Sequence, residues 1–147
     1  MTAVIKFTPE LTANAVRTIA STIKQEEWRP EVIVGLTRGG LVPAVMLSHA
    51  LNIRMMPLHW ATRDFVGYDS LEILRPFRNV LIVDDICDTG RSINTLLYSL
   101  NIVAPLTKVR TAMLVLKHTQ SYRPNYHWFN VYEADKDAWV EFYWEAP

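Results

Sequence analysis

The chain has 147 residues, half of them hydrophobic, which is enough for one domain with a proper core. Its formal net charge is zero and it has no basic block, which argues against a nucleic-acid or membrane-surface binder. Its apolar runs are too short to span a bilayer, Met1–Pro9 has no signal-peptide layout, and its lone cysteine, Cys87, has no internal disulfide partner, so a cytoplasmic protein is expected.

Leu11, Ala15, Ile19 and Ile23 recur every four residues, which predicts an amphipathic helix from Leu11 to about Glu27. Pro9 stands just upstream and Arg29-Pro30 ends the element. Glu31–Gly35 reads as a short strand, Leu36–Pro43 as a loop leading into a helix through Ala50, and Ile53–Leu58 as a further strand. This is a βαβ crossover, and the pair Gly39-Gly40 at its first strand's end allows backbone to approach a ligand closely. A plain turn would also favour two glycines. Trp60–Pro76 is polar without a sustained period, and a loop of that length in a compact domain is usually functional or disordered.

The most informative stretch follows. Val80–Val83 is an apolar run that reads as a strand buried on both faces, and it stops at Asp84-Asp85. Asp88, Thr89, Gly90 and Ser92 then lead into Ile93, Leu96, Leu97 and Leu100, one face of a helix. The segment is therefore strand, acidic loop, helix, and a hydroxyl- and glycine-rich helix start is a ready phosphate site. A receiver domain also pairs an apolar strand with two aspartates, but near the start of its chain and without Asp-Thr-Gly. An ordinary polar turn without a ligand is the other reading, and three carboxylates coinciding with a hydroxyl-glycine helix start at one strand end weigh against it. Cys87, among Asp84, Asp85 and Asp88, reads as inert packing. His49, His59, His118 and His127 are scattered, without cysteine partners at zinc spacing, and read as structural or surface residues. Val109–Lys117 is another strand, ended by a lysine, and His127–Tyr132 a further one. The tail from Asp137 to Trp144 is aromatic and acidic.

Alternating strands and helices with two phosphate-type loops predict an α/β fold, a mostly parallel central sheet flanked by helices, with ligands at the strand C-termini. Val80–Ser92 resembles the ribose-phosphate loop of the type I phosphoribosyltransferases, and Thr37–Pro43 resembles their pyrophosphate loop, most closely in the xanthine-guanine type of the 6-oxopurine branch. Ser92 stands where threonine is more usual, and the lid region does not match. The resemblance implies a single Rossmann-like domain over residues 1–147 with a small C-terminal hood. It implies transfer of phosphoribosyl from phosphoribosyl pyrophosphate (PRPP) to guanine, xanthine or hypoxanthine in purine salvage, with Mg²⁺ as cofactor.

Residue by residue, the resemblance implies that Arg38 and the N–H groups of Gly39 and Gly40 face the diphosphate, with a strained peptide at Arg38–Gly39. Asp84 and Asp85 would hold the ribose hydroxyls and the metal. Asp88, Thr89, Gly90, Arg91 and Ser92 would cradle the 5′-phosphate, with Asp88 also catalytic at the purine's imidazole edge. Lys117, Trp139 and Val140 would bind the base, and Arg63 or Arg75 would close a lid. The implied partners are small-molecule substrates and copies of the same chain, in a dimer or tetramer, with no nucleic acid or membrane. Two alternatives stand beside this reading: a regulatory nucleotide-binding protein on the same fold, and an enzyme for another base.

Overall fold

The computed structural model describes residues 3–60, 68–118 and 121–146. Strands β1 (Val4–Phe7), β2 (Val32–Thr37), β3 (Met55–His59), β4 (Asn79–Cys87), β5 (Lys108–Lys117), β6 (Tyr126–Val131) and β7 (Trp139–Phe142) alternate with helices α1 (Pro9–Gln25), α2 (Leu41–Leu51) and α3 (Arg91–Val103). Five strands form a wholly parallel sheet in the order β3-β2-β4-β5-β6, while β1 and β7 pair as a separate parallel ribbon. The chain enters the sheet at β2, moves outward to β3, then returns to place β4 on the other side of β2. That reversal opens a crevice beyond the C-terminal ends of β2 and β4, where sheets of this kind bind ligands.

Two apolar layers hold the sheet. Ile33, Leu81, Val83 and Leu114 face Ala15, Ile19 and Ile23 of α1 and Ala44 and Leu47 of α2. Val34, Val80, Ile82 and Met113 face Ile93, Leu96 and Leu100 of α3. Burial on both faces explains why β2 and β4 read as unbroken apolar runs. The β1–β7 ribbon joins the first layer through Phe7 and Phe142, whose rings sit 5.4 Å apart.

Several expected boundaries move. Thr8 caps α1, its Oγ1 accepting from Leu11 N at 3.2 Å, and Pro9 is the first helical residue, where its missing N–H costs nothing. β2 extends through Leu36 and Thr37, because it pairs with β3 as far as Thr37 opposite His59. β4 continues past its apolar run to Cys87, since β5 keeps supplying a partner, so Asp84 and Asp85 stand on a strand rather than in a loop. Residues 68–74, read as part of a polar loop, form a 3₁₀ helix whose Leu71 and Leu74 are buried beneath α3. Among the described residues no helix is long and apolar enough to cross a membrane.

Candidate active site

The crevice is built from both sides. On the β2 side, Gly35 admits α2 closely: a Cβ there would lie 2.8 Å from that of Ala44. The turn after β2 then brings Arg38 and Gly39 against the end of β4. A Cβ on Gly39 would lie 2.0 Å from Asp85 Oδ2, so glycine is what lets the loop lie against the carboxylate. Arg38, Gly39, Asp85, Trp144 and Glu145 line one cavity of about 440 Å³. On the β4 side, Asp84, Asp88, Thr89, Gly90 and Ser92 line a second cavity of about 120 Å³, closed below by Ile86, Ile93 and Met113.

The turn into α3 has the local chemistry its sequence suggests. Gly90 adopts φ 82°, the left-handed region, and a Cβ there would meet Ser121 Oγ at 2.6 Å. Thr89 Oγ1 accepts from Arg91 N at 3.3 Å, and Ser121 Oγ donates to Thr89 O. No side chain caps α3, so the turn's remaining N–H groups and the helix dipole are available to an anion.

Asp84 and Asp85 carry the site's distinctive electrostatics. Burial pushes the Asp84 carboxyl well above the ordinary range, and the neighbouring Asp85 charge adds to it. Burial also raises Asp85, with the Glu145 charge acting in the same direction. Each accepts a local backbone bond, Asp84 Oδ1 from Asp85 N at 2.9 Å and Asp85 Oδ1 from Ile86 N at 2.7 Å. Two adjacent, partly desolvated carboxylates attract a cation. The described residues offer no group of three metal-binding side chains, so a cation here would take its remaining ligands from water and substrate oxygens. That donor set fits Mg²⁺, which keeps waters and favours carboxylate and phosphate oxygens.

Across the sheet, Lys117 ends β5 with its side chain 14% exposed and Nζ 3.8 Å from Asp88 Oδ1. Trp139 opens β7 and is 60% exposed, so it is not a core tryptophan. Trp139 N donates to Ala3 O and Tyr143 N to Phe7 O. By strand alternation, Val140 and Phe142 direct their backbone groups to the ribbon's other edge, where Phe142 N donates to Glu145 Oε2 at 3.1 Å. The Val140 side chain is buried.

Some expectations need correction. The Gly40 N–H does not face a ligand: it donates to Leu36 O at 2.8 Å, and Gly40 packs against the backbone of Val83 and Leu36. The loop's cis peptide is Thr37–Arg38, the bond before Arg38–Gly39. Arg75 cannot close over the site. It lies with Arg78, Asn79 and Lys108 along a groove at the opposite end of the sheet, where β4 and β5 begin, and bonds Glu72 Oε2 at 3.2 Å. Arg63 lies outside the described residues. Arg91, Lys117, Trp139 and Val140 line neither cavity.

Trp144 and Glu145 carry no site motif in the sequence, because only folding of the tail brings them to Arg38 and Asp85. The aromatic-acidic composition of the tail was their one signal. Cys87 is buried and its thiol is pushed up to about 11, first by burial and then by Asp84 and Asp88, as its acidic setting suggested.

A family model described as "Phosphoribosyl transferase domain" matches residues 8–147. The xanthine-guanine phosphoribosyltransferase of Cereibacter sphaeroides is 29% identical over 127 residues, covering 80% of this chain and 70% of that relative. A purine phosphoribosyltransferase structure from Pyrococcus horikoshii Ot3 superposes with a TM-score of 0.77 at 27% identity, covering 98% of this chain and 95% of its own. The Helicobacter pylori xanthine-guanine-hypoxanthine phosphoribosyltransferase shares the fold, with a TM-score of 0.79 at 20% identity over 99% of this chain and 95% of its own.

Proposed function

The chain belongs to the phosphoribosyl transferase domain family, and from that premise we propose that it transfers phosphoribosyl from PRPP to a 6-oxopurine, giving a nucleoside monophosphate and pyrophosphate. The observation that carries the reading is the crevice itself: Arg38-Gly39 on one wall and the carboxylates leading into the Thr89–Ser92 turn on the other. The purine specificity draws on the named activities of the Cereibacter and Pyrococcus relatives.

In this mechanism a purine ring nitrogen forms a bond to the anomeric carbon of PRPP as the bond to pyrophosphate breaks. The reacting carbon becomes oxocarbenium-like, and carboxylates beside it stabilise the positive charge. Asp84 and Asp85 would hold the ribose hydroxyls and Mg²⁺, and the ion would supply charge neutralisation at the departing pyrophosphate. Arg38 and the Gly39 backbone receive the pyrophosphate. Asp88 takes the proton from the purine's imidazole ring, while Thr89, Gly90, Arg91 and Ser92 hold the 5′-phosphate. A 6-oxopurine shows N7 and O6 along one edge. The closeness of Lys117 and Asp88 suits that edge, with Lys117 donating to O6 and Asp88 serving the ring nitrogens. Trp139 stacks on the base and Val140 offers backbone groups to its edge.

Residues 1–147 act in this reading as one catalytic domain, in a cytoplasmic homo-oligomer, dimer or tetramer, without nucleic-acid or membrane partners. The test is a panel of guanine, xanthine, hypoxanthine, adenine and pyrimidines incubated with PRPP and Mg²⁺. Release of pyrophosphate with 6-oxopurines is expected, and PRPP with Mg²⁺ should raise Tm by mass action. Turnover of no base overturns the enzymatic reading, and turnover of pyrimidines or adenine alone overturns the base assignment.

A further inference from the structure

We propose that His59 and Trp60 are a pair of positioning residues that hold the two phosphate-binding loops at a fixed separation, an inference that rests on the function proposed above. β2 and β4 pair from Val32 to Gly35 and from Val80 to Val83, so the strand pairing that joins the two walls stops short of both phosphate loops. PRPP carries a diphosphate at one end of its ribose and a phosphate at the other. Binding both ends at once needs the two loops at a set distance.

The end of β3 supplies that link from outside the crevice. His59 is the last residue of β3 and Trp60 follows it directly, and the two side chains make contacts on opposite sides. His59 Nδ1 lies 2.9 Å from Thr37 Oγ1, its register partner and the last residue before Arg38. A hydroxyl both donates and accepts, so this contact persists whichever imidazole nitrogen carries the proton. Trp60 turns to the other face, packs against the layer beneath α3, and donates from Nε1 to Ser92 O at 3.1 Å. The last residue of an edge strand and the residue after it therefore grip the stem of the diphosphate loop and the first turn of the phosphate helix.

Pre-set separation raises affinity for a ligand that spans both loops and leaves either half-ligand indifferent. Trp60→Phe removes the indole donor and keeps a packed ring; His59→Phe and Thr37→Val each remove the other contact and keep bulk. Binding of PRPP, of pyrophosphate and of ribose 5-phosphate, each with Mg²⁺, is measured by calorimetry for the unaltered protein and each variant, with Tm recorded.

Each variant should weaken PRPP about three- to tenfold, the usual effect of one lost hydrogen bond, while pyrophosphate and ribose 5-phosphate change by less than about twofold. His59→Phe and Thr37→Val together should be no worse than either alone, because they remove one contact. Unchanged PRPP affinity in Trp60→Phe and His59→Phe overturns the inference, as does an equal loss on a half-ligand, which would mean a local contact instead. If Trp60→Phe does not fold, the His59→Phe and Thr37→Val pair decides alone. Failure of the unaltered protein to bind PRPP overturns the proposed function and this inference with it, whereas normal binding by it and by all variants overturns this inference only.

Discussion

Gly39 and Gly40 are neighbours, yet the structure assigns them different work, and alanine at each should separate binding from folding. A Cβ on Gly39 would stand 2.0 Å from Asp85 Oδ2 and 2.6 Å from its Cγ, so the carboxylate must retreat by about 1.4 Å to reach ordinary contact at 3.4 Å. Rotation of the side chain provides that retreat but gives up the 2.7 Å bond from Ile86 N to Asp85 Oδ1. A charge-assisted bond is worth about 1.5–3 kcal/mol, but moving Asp85 outward relieves the burial that raises its pKa and offsets part of the loss.

With relief of burial offsetting about half of a 3 kcal/mol loss, Gly39→Ala should lower Tm by about 3–6 °C, at roughly 2–4 °C per kcal/mol for a domain of this size. Its Mg²⁺-dependent affinity for PRPP should fall about tenfold or more, because Asp85 no longer points into the cavity. Gly40→Ala differs. Its Cβ would lie 2.4 Å from Val83 O, 2.7 Å from Leu36 O and 2.9 Å from Leu36 N, all backbone of paired strands that cannot turn aside. Overpacking of that kind costs about 3 kcal/mol, or about 6–12 °C in Tm. Calorimetric titration with PRPP and a thermal melt on each variant make the comparison. Equal losses of stability in the two variants, or full PRPP affinity in Gly39→Ala, would refute the reasoning.

Four further variants test the same geometry. Because burial raises the Asp84 pKa above its unfolded value near 3.8, the folded state holds the proton more tightly, so this group's stabilising contribution is complete below that value and is lost as pH rises through the folded pKa. Asp84→Asn should raise Tm at pH 7 by more than at pH 4 while abolishing the Mg²⁺-dependent PRPP shift; a gain that grows towards low pH would contradict the sign. Trp139→Ala should weaken purine binding about ten- to a hundredfold, the worth of one stacked base, with little change in Tm because the ring is exposed; normal purine affinity would return Trp139 to a surface residue. Asp88→Asn should cut turnover about 10²–10⁴-fold with a much smaller change in PRPP affinity, and Lys117→Ala should damage use of guanine, hypoxanthine and xanthine alike. Steady-state kinetics with direct binding checks both, and matched losses in turnover and PRPP affinity would reduce Asp88 to a positioning role.

Features that lie close together along the chain are legible in the sequence alone. The apolar run Val80–Val83, the aspartates after it and the apolar face of α3 are contiguous, and strand burial, turn chemistry and helix periodicity each act over a few residues. The family resemblance at Thr37–Pro43 and Val80–Ser92 rests on the same local runs. Tertiary structure alone decided what depends on partners distant in sequence. β1 is four residues long, too short for alternation to mark it, and exists because β7 pairs with it from the far end of the chain. Leu71 and Leu74 looked like loop residues until α3 covered them, and Arg75, beside them in sequence, was carried with that packing to the wrong end of the sheet for a lid. The Gly40 N–H turned inward because Leu36 O accepts it, and Trp144 and Glu145 reached Asp85 because pairing of β7 with β1 brings the tail back over the crevice. A local pattern names the chemistry a loop can offer, but which donors remain open to a ligand is settled only once the rest of the chain has taken its share of the hydrogen bonds.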